Sequence, residues 1–226
     1  MNEENANQVG ELIQAMMDKE KQEKAQRFHY LNAYVKKKQI VFAGSSLMEQ
    51  FPIYEFLLDE GLPFTIYNRG IGGLTSLEMQ SVMDACLYEL DPKVIFLNIG
   101  TNDLNDPSCT LDELMRRYGL VLGGIKEHLP GARLFLLAYY PVNPEAADDP
   151  MMQEVLRSRT NEKIRSANER VQRLAKDYGA TYLDLNQDLT DEKGNLKKEL
   201  TVEGMHMYAN GYRHVFERLL PTLKSL

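Results

Sequence analysis

Five short apolar runs punctuate the chain, and helical sequence separates most of them from the next. Residues 40–43, 64–67, 94–99, 133–138 and 181–185 each read as a strand. The third, Val-Ile-Phe-Leu-Asn-Ile, is apolar at nearly every position, the pattern of a parallel strand buried on both faces. Strands that alternate with helices need crossover connections, which are right-handed and leave helices on both sides of a mostly parallel sheet. The chain is therefore expected to form a three-layer α/β/α sandwich.

The helical segments fall at residues 9–35, 53–58, 76–90, 111–128, about 150–178 and 210–220. In the first, Val9, Leu12, Ile13, Met16 and Met17 follow the i, i+3, i+4, i+7, i+8 stripe of an amphipathic helix. The stripe thins through residues 18–27 and resumes at Phe28, Leu31 and Val35. This predicts a helix laid across the domain with a solvated, charged middle. Residues 1–38 are read as a helical extension packed on one domain spanning 1–226.

Composition narrows the function. With 226 residues, 43% hydrophobic, the chain has enough material for one ordinary core. Its net charge of −7 argues against nucleic-acid binding and against docking on anionic membranes. Cys86 and Cys109 are the two cysteines and form no CxxC or Cys/His cluster, so neither a disulfide framework nor a structural zinc site is expected. No apolar run reaches membrane-spanning length, and the polar start lacks the apolar core of a signal peptide. A cytoplasmic location and no membrane insertion are expected; self-association stays open.

In a parallel sheet the segments after successive strands emerge at one edge, where open α/β sheets place their ligands. That edge collects Ser45 and Ser46, the run Gly70-Ile71-Gly72-Gly73, Asn102 and Asp103, and residues 140–150, which open on Tyr140. Ser45 or Ser46 either caps a helix or serves as a nucleophile. The glycine run lacks the third glycine of a dinucleotide fingerprint, because Thr75 stands there, and no phosphate-binding GxxxxGK[ST] occurs. It indicates a sharp turn that leaves an N–H exposed. Asn102 either closes a turn or offers an amide donor to an oxyanion. Of four histidines, His206 alone sits in an irregular stretch, and Glu203 precedes it by three residues. A carboxylate there can fix the imidazole tautomer and stabilise the imidazolium.

Four blocks in this order resemble those of the SGNH hydrolases, the GDSL-like lipases and acylhydrolases. They are Gly44-Ser45-Ser46, residues 68–75, Gly100-Thr101-Asn102-Asp103, and Glu203-Gly204-Met205-His206 followed by Gly211-Tyr212. The resemblance implies a flavodoxin-like fold with five parallel strands ordered 2-1-3-4-5. It implies Ser46 as nucleophile, His206 as base, Glu203 as acid, and an oxyanion hole from Ser46, Gly73 and Asn102. Ser45, Asp103 and Tyr140 are expected to contact substrate. Ser45 and Glu203 both replace the family's usual aspartate. A GxSxG elbow is absent, since Met48 occupies its last position, which argues against the α/β-hydrolase superfamily.

The expected activity is hydrolysis of carboxylic esters through an acyl-serine intermediate, without metal or organic cofactor. Small-acyl or acetylated-carbohydrate esters are the favoured substrates. Lysophospholipase or thioesterase activity, or a non-catalytic ligand-binding role, are the alternatives.

Overall fold

The computed structural model describes residues 3–226. Five strands form one sheet: β1 (Ile40–Gly44), β2 (Ile66–Gly70), β3 (Val94–Asn98), β4 (Arg133–Leu137) and β5 (Thr181–Leu183). Their order is β2-β1-β3-β4-β5, and every neighbouring pair is parallel. Side chains alternate between the faces, as the two-residue strand period requires. Val41, Ala43, Ile95, Leu97, Leu134 and Leu136 share one core cluster. Ile40, Phe42, Val94, Phe96, Phe135 and Leu137 fall in the other. Phe42, Phe96 and Phe135 form a ladder across three strands, with ring centroids 5.0 and 4.7 Å apart.

The first face is covered by α1 (Glu3–Leu31), α4 (Ser76–Cys86), α5 (Leu111–His128), α6 (Pro150–Ser158) and α7 (Asn161–Asp177). The second is covered by α2 (Ser46–Glu49), α3 (Ile53–Asp59) and α8 (Ala209–Lys224). Thr75 opens α4 in a reciprocal capping box with Glu78, and Thr110 and Thr160 cap α5 and α7. Each such cap is worth about 1 kcal/mol. Among the described residues, no helix is long and apolar enough to cross a membrane.

Three local expectations give way. The second strand is read at residues 64–67 but forms at Ile66–Gly70, because Asn68, Arg69 and Gly70 continue the ladder with β1. Arg69 is buried there: its guanidinium donates to Asn32 Oδ1 at 3.1 and 3.0 Å and lies over the Phe28 ring. The helix expected from about 150 to 178 is two helices, broken at Arg159 and restarted by the Thr160 cap.

The largest departure is in α1, whose docking is the reverse of the expected one. Val9, Leu12, Ile13, Met16 and Met17 are exposed, Leu12 and Met16 by 62% and 64%. The charged middle packs instead, with Lys21 and Ala25 buried. Lysine permits this because its aliphatic stem can lie on apolar surface while the ammonium finds a partner. Lys21 Nζ meets Glu78 Oε1 at 2.6 Å and Asp18 at 3.2 Å, and Lys24 pairs with Glu49.

Candidate active site

The segment after β1 turns within one residue. Gly44 has φ +146°, and a Cβ there would lie 2.0 Å from the Asn98 carbonyl oxygen on the neighbouring strand. Only glycine fits. The turn sends Ser45 inward and Ser46 into the first position of α2. Ser45 is fully buried; its side chain makes no cap bond, and its Oγ lies 3.5 Å from Thr101 Oγ1. The capping reading therefore fails for Ser45. Because α2 has only four residues, a long helix dipole is not available at Ser46, and any help to negative charge comes from individual N–H groups.

Ser46 Oγ lies 2.8 Å from His206 Nε2, across 160 residues of sequence. His206 Nδ1 lies 2.5 Å from Glu203 Oε1, which also accepts the His206 backbone N–H at 3.2 Å. The loop carrying both residues is braced. Thr201 bridges Met207, Val202 N–H and Thr201 Oγ1 both donate to the His206 carbonyl at 2.8 Å, and Asn143 N–H donates to the Gly204 carbonyl at 2.7 Å. Burial pushes the Glu203 carboxyl up, but the hydrogen bond and charge of His206 outweigh it and hold the group below the ordinary glutamate range. Its second oxygen, Oε2, is buried without a partner.

Gly73 has φ +75°, and a Cβ there would approach Lys21 Cε to 3.2 Å. The α1 helix thus lies directly against this turn. Two of its lysines flank it: Lys21 pairs with Glu78, which also holds the Thr75 N–H at 2.8 Å, while Lys24 pairs with Glu49. Glu49 Oε2 accepts the Gly72 N–H at 2.5 Å. Asn102 follows β3 and sits opposite. Its Nδ2 donates to the Leu74 carbonyl at 2.9 Å, and its Oδ1 accepts from Arg159 Nη2 at 2.8 Å. The side chain spans two segments rather than closing its own turn.

Ser45, Asp103 and Tyr140, expected at the substrate surface, lie behind it at 0%, 1% and 3% exposure. Asp103 accepts from the Ser76 N–H at 2.8 Å and the Ser76 hydroxyl at 2.6 Å, tying the start of α4 to the turn after β3. Tyr140 belongs to the second core cluster, and burial raises its phenol well above the ordinary range. Ser45 is turned inward at Gly44, Asp103 is drawn in by Ser76, and Tyr140 packs in the second core cluster.

Sequence reasoning missed Glu49, Lys21, Lys24 and Arg159. Thr160, a capping residue ahead of Glu162, was the available sign that the long helix breaks at Arg159. A separate groove of about 720 Å³, lined by Tyr139, Asn161, Ile164, Arg165, Asn168 and Asp184 among others, holds none of Ser46, Glu203 and His206. Among the described residues, no group of three or more His, Cys, Asp or Glu side chains is arranged to hold a metal ion.

A family model described as GDSL-like Lipase/Acylhydrolase matches residues 42–214. A structure from Streptococcus pneumoniae, reported under the name platelet activating factor, is similar at 30% identity. It covers 96% of this chain and 99% of that one with a TM-score of 0.85. The fold is also that of Axe2, an acetylxylan esterase from Geobacillus stearothermophilus, at 14% identity, 81% and 93% coverage and a TM-score of 0.63. Among curated proteins, the N-acylneuraminate cytidylyltransferase of Escherichia coli O18:K1:H7 is 25% identical over 148 residues, 65% of this chain. The chain spans about a third (32%) of that protein's length.

Proposed function

The chain belongs to the GDSL-like lipase/acylhydrolase family and is a carboxylic ester hydrolase, and we propose that it works through an acyl-serine intermediate on Ser46. The hydrogen-bond chain from Glu203 through His206 to Ser46 carries this reading. His206 Nε2 takes the Ser46 proton as Oγ attacks the ester carbonyl carbon. Glu203, ionised at neutral pH, orients the ring and stabilises the imidazolium. The carbonyl oxygen becomes an oxyanion facing the Ser46 and Gly73 N–H groups and the Asn102 amide. The tetrahedral adduct collapses as His206 returns the proton to the departing alkoxide. Water, deprotonated by the same imidazole, then releases the acid.

Ser45, Asp103 and Tyr140 are read here as supports of the site rather than substrate contacts, because their side chains are buried. Residues 1–38 act as an extension of one catalytic domain, since α1 bears on the Gly72–Gly73 turn. If that bearing holds the turn in its working shape, Glu49→Ala, which removes both the Gly72 contact and the Lys24 pair, is expected to lower kcat by about 10-fold, a modest misplacement of a catalytic donor. An unchanged kcat in steady-state kinetics would show that the contact does not matter. Cys86 and Cys109, both buried and unpaired, suit a reducing compartment, which favours the cytoplasm.

The favoured substrates are small-acyl or acetylated-carbohydrate esters. The acetylxylan esterase that shares the fold supports this, and the net charge of −7 disfavours approach to anionic lipid surfaces. A panel of p-nitrophenyl esters graded by acyl length, with acetylated xylo-oligosaccharide beside it, tests the reading. Acetyl and propionyl esters are expected to give the highest kcat/KM, and the oligosaccharide to release acetate. A preference for octanoyl or longer chains would favour a lysophospholipase or thioesterase. Absence of turnover together with absence of serine labelling by a phosphonofluoridate would leave a ligand-binding protein.

A further inference from the structure

We propose that Arg159 is the positioning residue of the oxyanion site, locking the Asn102 amide so that one N–H faces the reacting carbonyl. This rests on the acyl-serine reading. Arg159 ends α6, with its backbone N–H still bonded to the Val155 carbonyl at 3.0 Å. Its long side chain is 2% exposed. Among the described residues, no carboxylate pairs with it, although Asp103 and Glu203 are near enough to act on it through their charge. A buried guanidinium without a direct counter-ion is a costly choice that a packed apolar side chain would avoid. Its location suggests what it is kept for.

All three donor contacts go to segments that carry the chemistry. Nη2 donates to Asn102 Oδ1 at 2.8 Å, and Nε donates to Asn105 Oδ1 at 2.8 Å on the same turn. Nη1 points at the Met205 sulfur, one residue before His206. One planar, permanently charged group therefore spans the turn with the amide donor and the loop with the base.

An asparagine amide can flip, presenting either its oxygen or its nitrogen. A cation that only donates removes that freedom, because a flipped Asn102 would turn its NH2 onto the guanidinium. With Oδ1 held by Arg159 and one Nδ2 hydrogen on the Leu74 carbonyl, the other hydrogen has a fixed direction. The guanidinium also draws electron density through the amide, so that N–H becomes a stronger donor as negative charge develops.

The test compares wild type, Arg159→Lys, Arg159→Met, Asn102→Ala and the double variants, using p-nitrophenyl acetate turnover and the rate of phosphonofluoridate labelling. Arg159→Met is expected to lower kcat by roughly 10- to 100-fold, short of the loss seen when an oxyanion donor itself is removed. KM should stay within about 3-fold, since the lost interaction is made in the transition state. Labelling should slow in parallel, because the phosphonyl adduct places its oxygen where the oxyanion forms. In the Asn102→Ala background the same substitution should cost less than about 2-fold, because the amide it holds is gone.

Arg159→Lys keeps the charge but loses the fork, and should recover part of kcat. It decides the matter if Arg159→Met does not fold. A merely structural arginine would lower the melting temperature and cost the same with or without Asn102. That result, or wild-type kcat in Arg159→Lys or Arg159→Met, overturns the role of Arg159 alone. A wild-type chain that neither hydrolyses ester nor takes the label overturns the acyl-serine reading, and this inference with it.

Discussion

Ser46→Ala is expected to lower kcat by on the order of 10³-fold or more and to abolish phosphonofluoridate labelling, while Ser45→Ala retains both to a measurable extent. Loss of a nucleophile removes the covalent path, and what survives is the stabilisation from the oxyanion donors and from binding. The two serines are adjacent in sequence but face opposite ways. Ser46 Oγ meets His206 Nε2 at 2.8 Å, whereas Ser45 is fully buried with Thr101 as its side-chain neighbour. Ser45→Ala therefore loses one weak buried contact and makes little change in shape. Mass spectrometry of the labelled protein separates the outcomes, because the adduct must map to residue 46. A label on Ser45, or an active Ser46→Ala enzyme, would move the nucleophile by one residue and detach it from the His206 chain.

That contrast also shows where the sequence speaks clearly. Apolar runs such as residues 94–99 announce buried parallel strands because little else fills a position covered on both faces. Once the strands are placed, the crossover rule brings the segments after them to one edge. Three segments of the candidate site, those carrying Ser46, Gly73 and Asn102, follow β1, β2 and β3 for that reason. Legibility fades where a charged side chain is buried by partners far away in the chain. Arg69 lies inside β2, yet its partners, Asn32 and the Phe28 ring, come from the N-terminal segment. Arg159 resembles a surface residue of a long amphipathic helix until the break after Ser158 turns it inward. The stripe on α1 misleads in the opposite way. Its periodicity marks an apolar face, but periodicity cannot say whether that face or the lysine-bearing one docks. Pairs of Lys21 with Glu78 and Lys24 with Glu49 decide it, and none is visible without the fold.

The roles of His206 and Glu203 separate on three substitutions. His206→Ala removes the only base within hydrogen-bond reach of Ser46 Oγ among the described residues and is expected to cost on the order of 10³-fold or more in kcat. Glu203→Gln keeps the shape but removes the charge that stabilises the imidazolium, so it should also cost heavily. Glu203→Asp keeps the charge with a shorter reach and should retain far more activity than Glu203→Gln. Neither other carboxylate near the strand ends is free to substitute. Asp103 is held by Ser76 and lies near Arg117, and Asp184 accepts the Asn186 N–H in its own turn. Acid pH adds an independent check. The Glu203 carboxyl is held below its ordinary range in the folded chain despite its burial. A depressed carboxyl contributes stability that is fully present above the unfolded-state value, about 4.3, and is lost as pH falls through the lower folded value. The stability gap between wild type and Glu203→Gln should therefore be open above about pH 4 and narrow progressively below it. Thermal unfolding of both proteins across that range measures it. A gap that does not vary with pH, together with wild-type kcat in Glu203→Gln, would mean that the 2.5 Å contact with His206 carries no charge-dependent interaction, and Glu203 would not be the acid of the triad.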